Sequence, residues 1–316
     1  MAKLYLAPME GVLDYTLREI LTSLAGIDQC VTEFIRVSDR LLPRSVFYRL
    51  APELHHGGFT RSGVPVFLQL LGSDPNLLAE NAARAAALGA PGVDLNFGCP
   101  AKTVNKSRGG AVLLKEPDLL HDIVYAVRQA VPAIIPVTAK MRLGYMDKSL
   151  AIENAQAIES AGACTLTVHA RTKLEGYKPP AHWEWIAKIK EVVSLQVIAN
   201  GEVWNREDYE RCQQRSGCQD VMLGRGMLSN PFLAESLVTG HEASLDERWQ
   251  RLLPMLEAYS TQVIEDLSER HVHGRIKQWL NMLRQHFPQA DHLFTAVRSE
   301  RDPAVILKKI KSLQDA

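Results

Sequence analysis

The chain has 316 residues, 46% of them hydrophobic and 23% charged, and its formal net charge is zero. That is the composition of an ordinary soluble globular protein with room for one large domain and a small one, not of a disordered chain. Zero net charge gives no overall field for a nucleic acid, but residues 270–316 hold nine Lys or Arg against four Asp or Glu. Such a basic region can hold a polyanion or can be a solvated helical face. The five cysteines form no CxxC pair and are odd in number, which favours reduced thiols in a cytosol-like compartment over disulfides or a zinc site. The first apolar run is too short for a signal peptide, and nothing approaches the ~18 apolar residues of a membrane span.

Short apolar runs then alternate with helical patterns. The runs cover residues 4–7, 30–32, 64–71, 92–95, 134–139, 164–168, 196–199 and 221–223. Helices are predicted over 76–88, 117–131, 148–161, 183–193 and 205–216. The first of these has Ser73 and Asp74 as cap candidates, Pro75 at its first turn and Gly89 beyond its end. Eight strands alternating with helices predict a parallel α/β fold, and eight is the number of the (β/α)8 TIM barrel. A doubly wound sheet competes. The barrel is favoured because every run ends in groups able to bind or react, from Met9-Glu10 and Glu33 to Asn200-Gly201-Glu202 and Gly224-Arg225. A closed barrel gathers such ends at one mouth, whereas an open sheet spreads them along a line.

Beyond Asn230-Pro231 the alternation stops. Ser244 to Glu247 reads as a capping box. Pro254 predicts a kink or break in the helix that follows. Ile276, Trp279, Leu280, Leu283 and Phe287 fall on one helical face, and Ile306, Leu307, Ile310 and Leu313 repeat the pattern. A barrel domain is therefore expected over residues 1–240, and a small C-terminal helical domain over 241–316.

The stretch 93–111, VDLNFGCPAKTVNKSRGGA, delivers a thiol from a strand end into a loop. Glycine allows the tight turn there and proline fixes φ. A lone cysteine is most often a small buried hydrophobe, but one held at a strand end can act as an acid or a nucleophile. At the last two strand ends, Asn200-Gly201-Glu202 and Gly224-Arg225-Gly226 favour a phosphate-bearing ligand. Pro8, Met9 and Glu10 can lie under a flat ring, Gln69 can donate and accept, and Lys140 supplies a cation. Buried lysine is rare unless paired, so Lys140 reads as functional. His169 remains open between a structural histidine and a ligand. These residues alone imply a phosphorylated aromatic ligand.

The 93–111 string, with its spaced Gly110-Ala111, resembles the signature of the tRNA-dihydrouridine synthases. APMEG, TEFIR, LQLLG, KMRLG, VHARTKLEGY, IANGE and GRG stand in the order seen in that family, so the resemblance spans nearly the whole chain. It implies a barrel enzyme holding FMN through Pro8, Met9, Glu10, Gln69, Lys140, Asn200, Gly201, Glu202, Gly224 and Arg225, with His169 nearby. It implies NADPH as reductant, tRNA as substrate, and Cys99 as the group that protonates the uracil. The text from His273 to Trp279 is similar to that of members acting on position 16 of the tRNA D-loop. That similarity implies tRNA contacts at Arg36, Asn96, Arg142, Tyr177, Lys277, Trp279 and Arg298. One departure is Lys106-Ser107-Arg108, where members can carry glycine.

The chemistry follows from the substrate's polarity. Hydride adds to the electrophilic C6 of uracil, and the resulting enolate takes a proton at C5, which a largely protonated thiol can give. Lys140, Arg142 and Asn96 are candidates to stabilise charge on the carbonyl oxygens. The competing readings are a flavin barrel that reduces a free small pyrimidine or enone, and an RNA-binding protein without catalysis. A metal-dependent hydrolase is disfavoured because the strand ends lack a His/Asp ligand cluster. A cytoplasmic monomer is expected.

Overall fold

The computed structural model describes residues 2–267 and 269–314. Its strands are β1 (Leu4–Leu6), β2 (Gln29–Val31), β3 (Ile35–Arg36), β4 (Val66–Leu71), β5 (Val93–Phe97), β6 (Val137–Arg142), β7 (Thr165–His169), β8 (Gln196–Asn200) and β9 (Val221–Leu223). All pairings between them are parallel, and β1 bonds to both β2 and β9 while β2 bonds to β4, which closes the ring. The result is a (β/α)8 barrel.

The nine strands make eight staves because β3 continues β2 along β4. The step from Val31 to Ile35 spans four residues where β4 advances three, from Phe67 to Leu70. The one-residue excess throws Glu33 out of the ladder, where its Oε1 accepts the Gly11 N–H at 2.5 Å. The sequence pattern marks this stave only as 30–32. Conversely, the stave predicted from residue 134 begins at Val137. Residues 132–135 form a turn, with Ile135 N–H donating to Pro132 O at 2.9 Å, and Ile134 is 91% exposed. An apolar run beside two prolines has the pattern of a strand and forms a turn.

Side chains alternate across each stave. Leu4, Leu6, Leu68, Leu95 and Ala139 face the helices in the main core, while Tyr5, Ala7, Val31, Phe67, Ile198 and Met222 form a separate apolar cluster inside the barrel. The same alternation turns Gln69, Asp94, Asn96, Thr138, Lys140, Thr167, His169 and Asn200 inward. The interior is thus apolar along β1, β2 and β9, and polar between β4 and β8.

Four helices follow, Leu245–Asp266, Glu269–Leu283, Pro288–Val297 and Pro303–Lys311. Ser244 caps the first by accepting the Glu247 N–H at 3.2 Å. Of the kink or break expected at Pro254, the break is absent: the helix runs through it. Pro254 lies on the exposed side, so the backbone acceptor it leaves unpaired can turn to water. The face carrying Ile276, Trp279, Leu280 and Leu283 is buried as predicted. It packs on the barrel helix Arg225–Ser229, and the main hydrophobic cluster runs from Leu4 to Ile310 without interruption.

Arg275 is one polar tie between these helices and the barrel. Its Nη2 lies 2.6 Å from Asp14 Oδ2 and 2.8 Å from Val12 O, and its Nη1 also donates to Gly11 O. Three acceptors of the first barrel loop thus converge on one guanidinium. Arg275→Ala is expected to lower unfolding stability by about 2 kcal/mol, the scale of a charged hydrogen bond to a partly buried partner. Urea denaturation followed by circular dichroism measures it.

Candidate active site

The C-terminal ends of the staves open into one cavity of about 530 Å3. The first barrel loop contributes Pro8, Met9 and Glu10, β4 contributes Gln69, and β5 contributes Asn96 and the loop with Cys99. β6 adds Lys140 and Arg142, β7 adds His169, and the loop beyond it adds Tyr177. Asn200, Gly201, Glu202, Gly224 and Arg225 close the circle. Fifteen residues singled out from the sequence therefore line one cavity. Phe34, inside the TEFIR string, lines it too, as do Trp204 and Met282, which no quoted string contains. Trp204 stands two residues beyond the IANGE string, which is the signal that would have found it. Met282 lies beside the buried helical face, and nothing in its spacing marks it.

The thiol loop is held from several sides. Asn96 Oδ1 accepts the N–H groups of Gly98 and Cys99, both at 2.9 Å. Cys99 O accepts from Asn105 Nδ2 at 2.9 Å and from Ala111 N at 3.1 Å. Gly110 explains its place in the 93–111 string. Its φ is +68°, and a Cβ there would stand 2.8 Å from Cys99 O. Only glycine fits both the conformation and the space. Arg108, two residues earlier, takes φ 58° with a full side chain, its guanidinium 2.7 Å from Glu116. This is the departure noted above, a left-handed position that glycine occupies without strain.

Burial sets the protonation of the site. It pushes the Cys99 thiol above its ordinary value, with Glu10 adding to the effect and Arg142 and Arg36 opposing it. At neutral pH the group is a thiol, not a thiolate. Burial, with help from Arg142, lowers Lys140 to about 8. Its ammonium has no carboxylate within ion-pairing distance among the described residues. Burial and the cations Arg142, Lys140, Arg171 and Arg225 push His169 well below its usual range, so it is a neutral imidazole. Three of these cations, Lys140, Arg142 and Arg225, line the cavity and suit an anionic ligand. Among the described residues no cluster of His, Cys, Asp or Glu could hold a metal ion.

Arg225 stacks between two rings, 4.8 Å from Tyr177 and 5.1 Å from Trp204, and Glu202 lies 3.7 Å away. Arg142 also covers the Tyr177 ring, at 5.1 Å. Arg142 is buried, and its Nε and Nη1 donate to Gly98 O, Thr172 O and Gly176 O at 2.8–3.1 Å. It braces the loops after β5 and β7, which makes Arg142 a weaker candidate for the substrate's carbonyl oxygens than Lys140.

The residues named for RNA contact divide. Tyr177 is 52% exposed at the mouth. Arg36 and Arg298 are exposed, and Arg36 reaches Ser107 Oγ at 2.7 Å. Lys277 Nζ donates to Arg298 O at 3.1 Å and Glu300 O at 2.6 Å, tying two C-terminal helices. Trp279 corrects the expectation. It is 1% exposed, its Nε1 donates to Leu228 O at 3.2 Å, and its ring meets Tyr259 edge-on at 4.9 Å. It has no surface to offer RNA, because the apolar helical face on which it falls is the face that docks on the barrel.

A model of the dihydrouridine synthase family matches residues 5–314. A tRNA-dihydrouridine(16) synthase of Aquipseudomonas alcaligenes is 58% identical over 94% of this chain and 95% of its own. One of Cupriavidus necator is 51% identical over 100% of this chain and 98% of its own. Among solved structures, a 2-naphthoyl-CoA reductase superposes with a TM-score of 0.58 at 14% identity, covering 76% of this chain and 50% of that one. Histamine dehydrogenase from Rhizobium sp. 4-9 gives 0.56 at 13%, covering 82% and 48%. At that identity the two structures share the fold alone.

Trp279→Ala is expected to lower stability by about 3–5 kcal/mol, as for other large buried side chains. Trp279→Phe, which keeps most of the packing, is expected to leave the dissociation constant for tRNA within about twofold of the parent, measured by filter binding.

Proposed function

The chain belongs to the dihydrouridine synthase family, and on that premise we propose that it reduces uridine 16 of the tRNA D-loop to 5,6-dihydrouridine, with FMN as bound cofactor and NADPH as reductant. The observation that carries the reading is the Cys99 thiol, kept protonated and opening into the same cavity as Lys140 and Arg225.

The residues present fit a flavin. Lys140 and the neutral His169 can meet the edge of a ring system, with Gln69 beside them. The guanidinium of Arg225 suits a phosphate. At Gly224 an added Cβ would find only Ala7 Cβ, at 3.9 Å, so the wall is open there for a ligand. Pro8, Met9 and Glu10, with Asn200, Gly201 and Glu202, form the remaining wall. When bound, the flavin supplies the hydride for C6 of the uracil.

The chain's own residues then do the rest. Cys99 Sγ gives its proton to C5. The unpaired ammonium of Lys140 stabilises negative charge on a uracil carbonyl oxygen, in a buried setting where such charge is worth more than in water. A uridine must leave its stack to enter the mouth, which costs a few kcal/mol and is least costly in a loop. Tyr177, with Arg142 and Arg225 against its ring, offers a face for that base. Residues 1–240 serve as the catalytic domain and 241–316 as the RNA-holding one, where Arg298 and Lys277 lie with the lysines of the last helix. We take the enzyme to act as a cytoplasmic monomer.

Reduced enzyme without oxygen, given unmodified tRNA, should recover its oxidised flavin absorbance rapidly, and free uridine should not produce this. Dihydrouridine mapped at a position other than 16 would remove the site assignment, and reoxidation by small enones alone would remove tRNA as substrate. Cys99→Ala should keep flavin and tRNA binding and lose at least about 100-fold in turnover. Lys140 is charged below its pKa of about 8 and neutral above it. Turnover is therefore expected to fall as pH rises through about 8, and Lys140→Arg to move that limb to higher pH.

A further inference from the structure

One buried acid has no part in the chemistry above. Asp94 lies inside the barrel on β5, 3% exposed, below the cavity. Its Oδ2 accepts from Gln69 Nε2 at 2.7 Å, and its Oδ1 accepts from Thr138 Oγ1 at 2.5 Å. Gln69 Oε1 in turn accepts from Asn96 Nδ2 at 2.7 Å. Asn96 Oδ1 accepts the N–H groups of Gly98 and Cys99 at 2.9 Å. Every bond in this series points the same way, from the thiol loop down to the carboxylate.

The direction matters because each amide has one accepting end and one donating end. An ionised carboxylate only accepts, so it draws Gln69 Nε2 and leaves Gln69 Oε1 facing Asn96. That leaves Asn96 Oδ1 facing the loop, where two N–H groups need an acceptor. Burial raises the Asp94 carboxyl, and the bonds from Gln69 and Thr138 and the charge of Lys140 oppose that rise. With no acceptor at position 94, the fully buried Gln69 amide would hold an unpaired donor, and such a group moves or turns to find a partner.

We propose that Asp94 is a positioning residue for Cys99: its carboxylate ends a one-way chain of hydrogen bonds through Gln69 and Asn96 that holds the Gly98–Cys99 backbone at the cavity. The proposal rests on the reading of Cys99 as proton donor for its catalytic consequence. The geometry of the thiol loop can be tested apart from that reading.

Cys99 is half-buried, Cys164 is exposed and the other three cysteines are buried. In a Cys164→Ser background, iodoacetamide therefore reports on Cys99. With flavin-loaded protein of verified fold, Asp94→Leu should alkylate at Cys99 at least threefold faster than the parent across pH 7–9. Its turnover with tRNA should fall at least tenfold while KM stays within twofold. Asp94→Asn, which can still turn an oxygen to Gln69 and its nitrogen to the Thr138 hydroxyl, should restore the parent alkylation rate to within twofold. Thr138→Val removes a bond on the other side of the same carboxylate and should leave that rate unchanged. If Asp94→Leu does not fold, Gln69→Met removes the middle of the chain and should give the same acceleration. A folded Asp94→Leu or Gln69→Met protein that alkylates at the parent rate overturns the proposal. So does an Asp94→Asn protein as fast as Asp94→Leu, since the effect would then belong to the charge beside Lys140. The expected alkylation changes together with undiminished turnover in Cys99→Ala would instead strike at the proton-donor reading and leave the chain standing.

Discussion

Closing eight parallel staves removes every sheet edge, and it also removes water from the side chains that point inward. An inward polar group below the mouth must find a partner inside the barrel or remain unsatisfied. The apolar cluster of Tyr5, Val31, Phe67, Ile198 and Met222 meets this constraint by having little to satisfy. The β4 to β6 side meets it by linking Thr138, Asp94, Gln69 and Asn96 into one connected set. A set of that kind has few alternative arrangements, because changing one bond leaves a buried donor or acceptor without a partner. The interior can therefore be both polar and rigid, and rigidity is what a proton donor on a loop requires.

The same constraint organises the charges. Lys140, Arg142 and Arg225 line the cavity and the buried Arg171 lies close enough to act on His169 with them, yet the four are not equivalent. Arg142 is held by three backbone carbonyls, and Arg171 and Arg225 share Glu202. Lys140 alone among these four has neither kind of partner among the described residues. Burial already weakens its hold on the proton, and the neighbouring Arg142 weakens it further. A ligand with negative charge at that point would restore what the protein itself does not provide. The neutral state of His169 follows from the same crowding, since a fifth cation there would face four others.

Much of this was legible in the chain because barrel staves carry their reactive groups at fixed places. The apolar runs located the strands, and the groups expected at their ends line one cavity except Glu33, which turns to the Gly11 N–H instead. What was not legible depended on which partner an element meets. Ile134 looked like strand because nothing local says that Pro132 turns the chain first. The stave through Glu33 looked too short because its one-residue excess is defined only against β4. Pro254 suggests a kink or break because the sequence does not say which side of its helix faces water. Trp279 looked like an RNA contact for a related reason. A tryptophan on an apolar helical stripe is a docking residue when that stripe finds a surface, and the barrel helix Arg225–Ser229 is that surface.

The correction at Trp279 changes how the C-terminal helices bear on the site. If that face grips the barrel, the helix Glu269–Leu283 is part of the barrel's wall rather than a separate arm. Met282, one turn from Trp279, lines the cavity. Arg275, one turn the other way, holds the carbonyls of Gly11 and Val12 and the carboxylate of Asp14. That loop begins with Met9 and Glu10, which also line the cavity. One helix therefore touches the mouth directly through one residue and steadies its first loop through another. A shift of this helix would therefore carry Met282 and the Arg275 contacts with it.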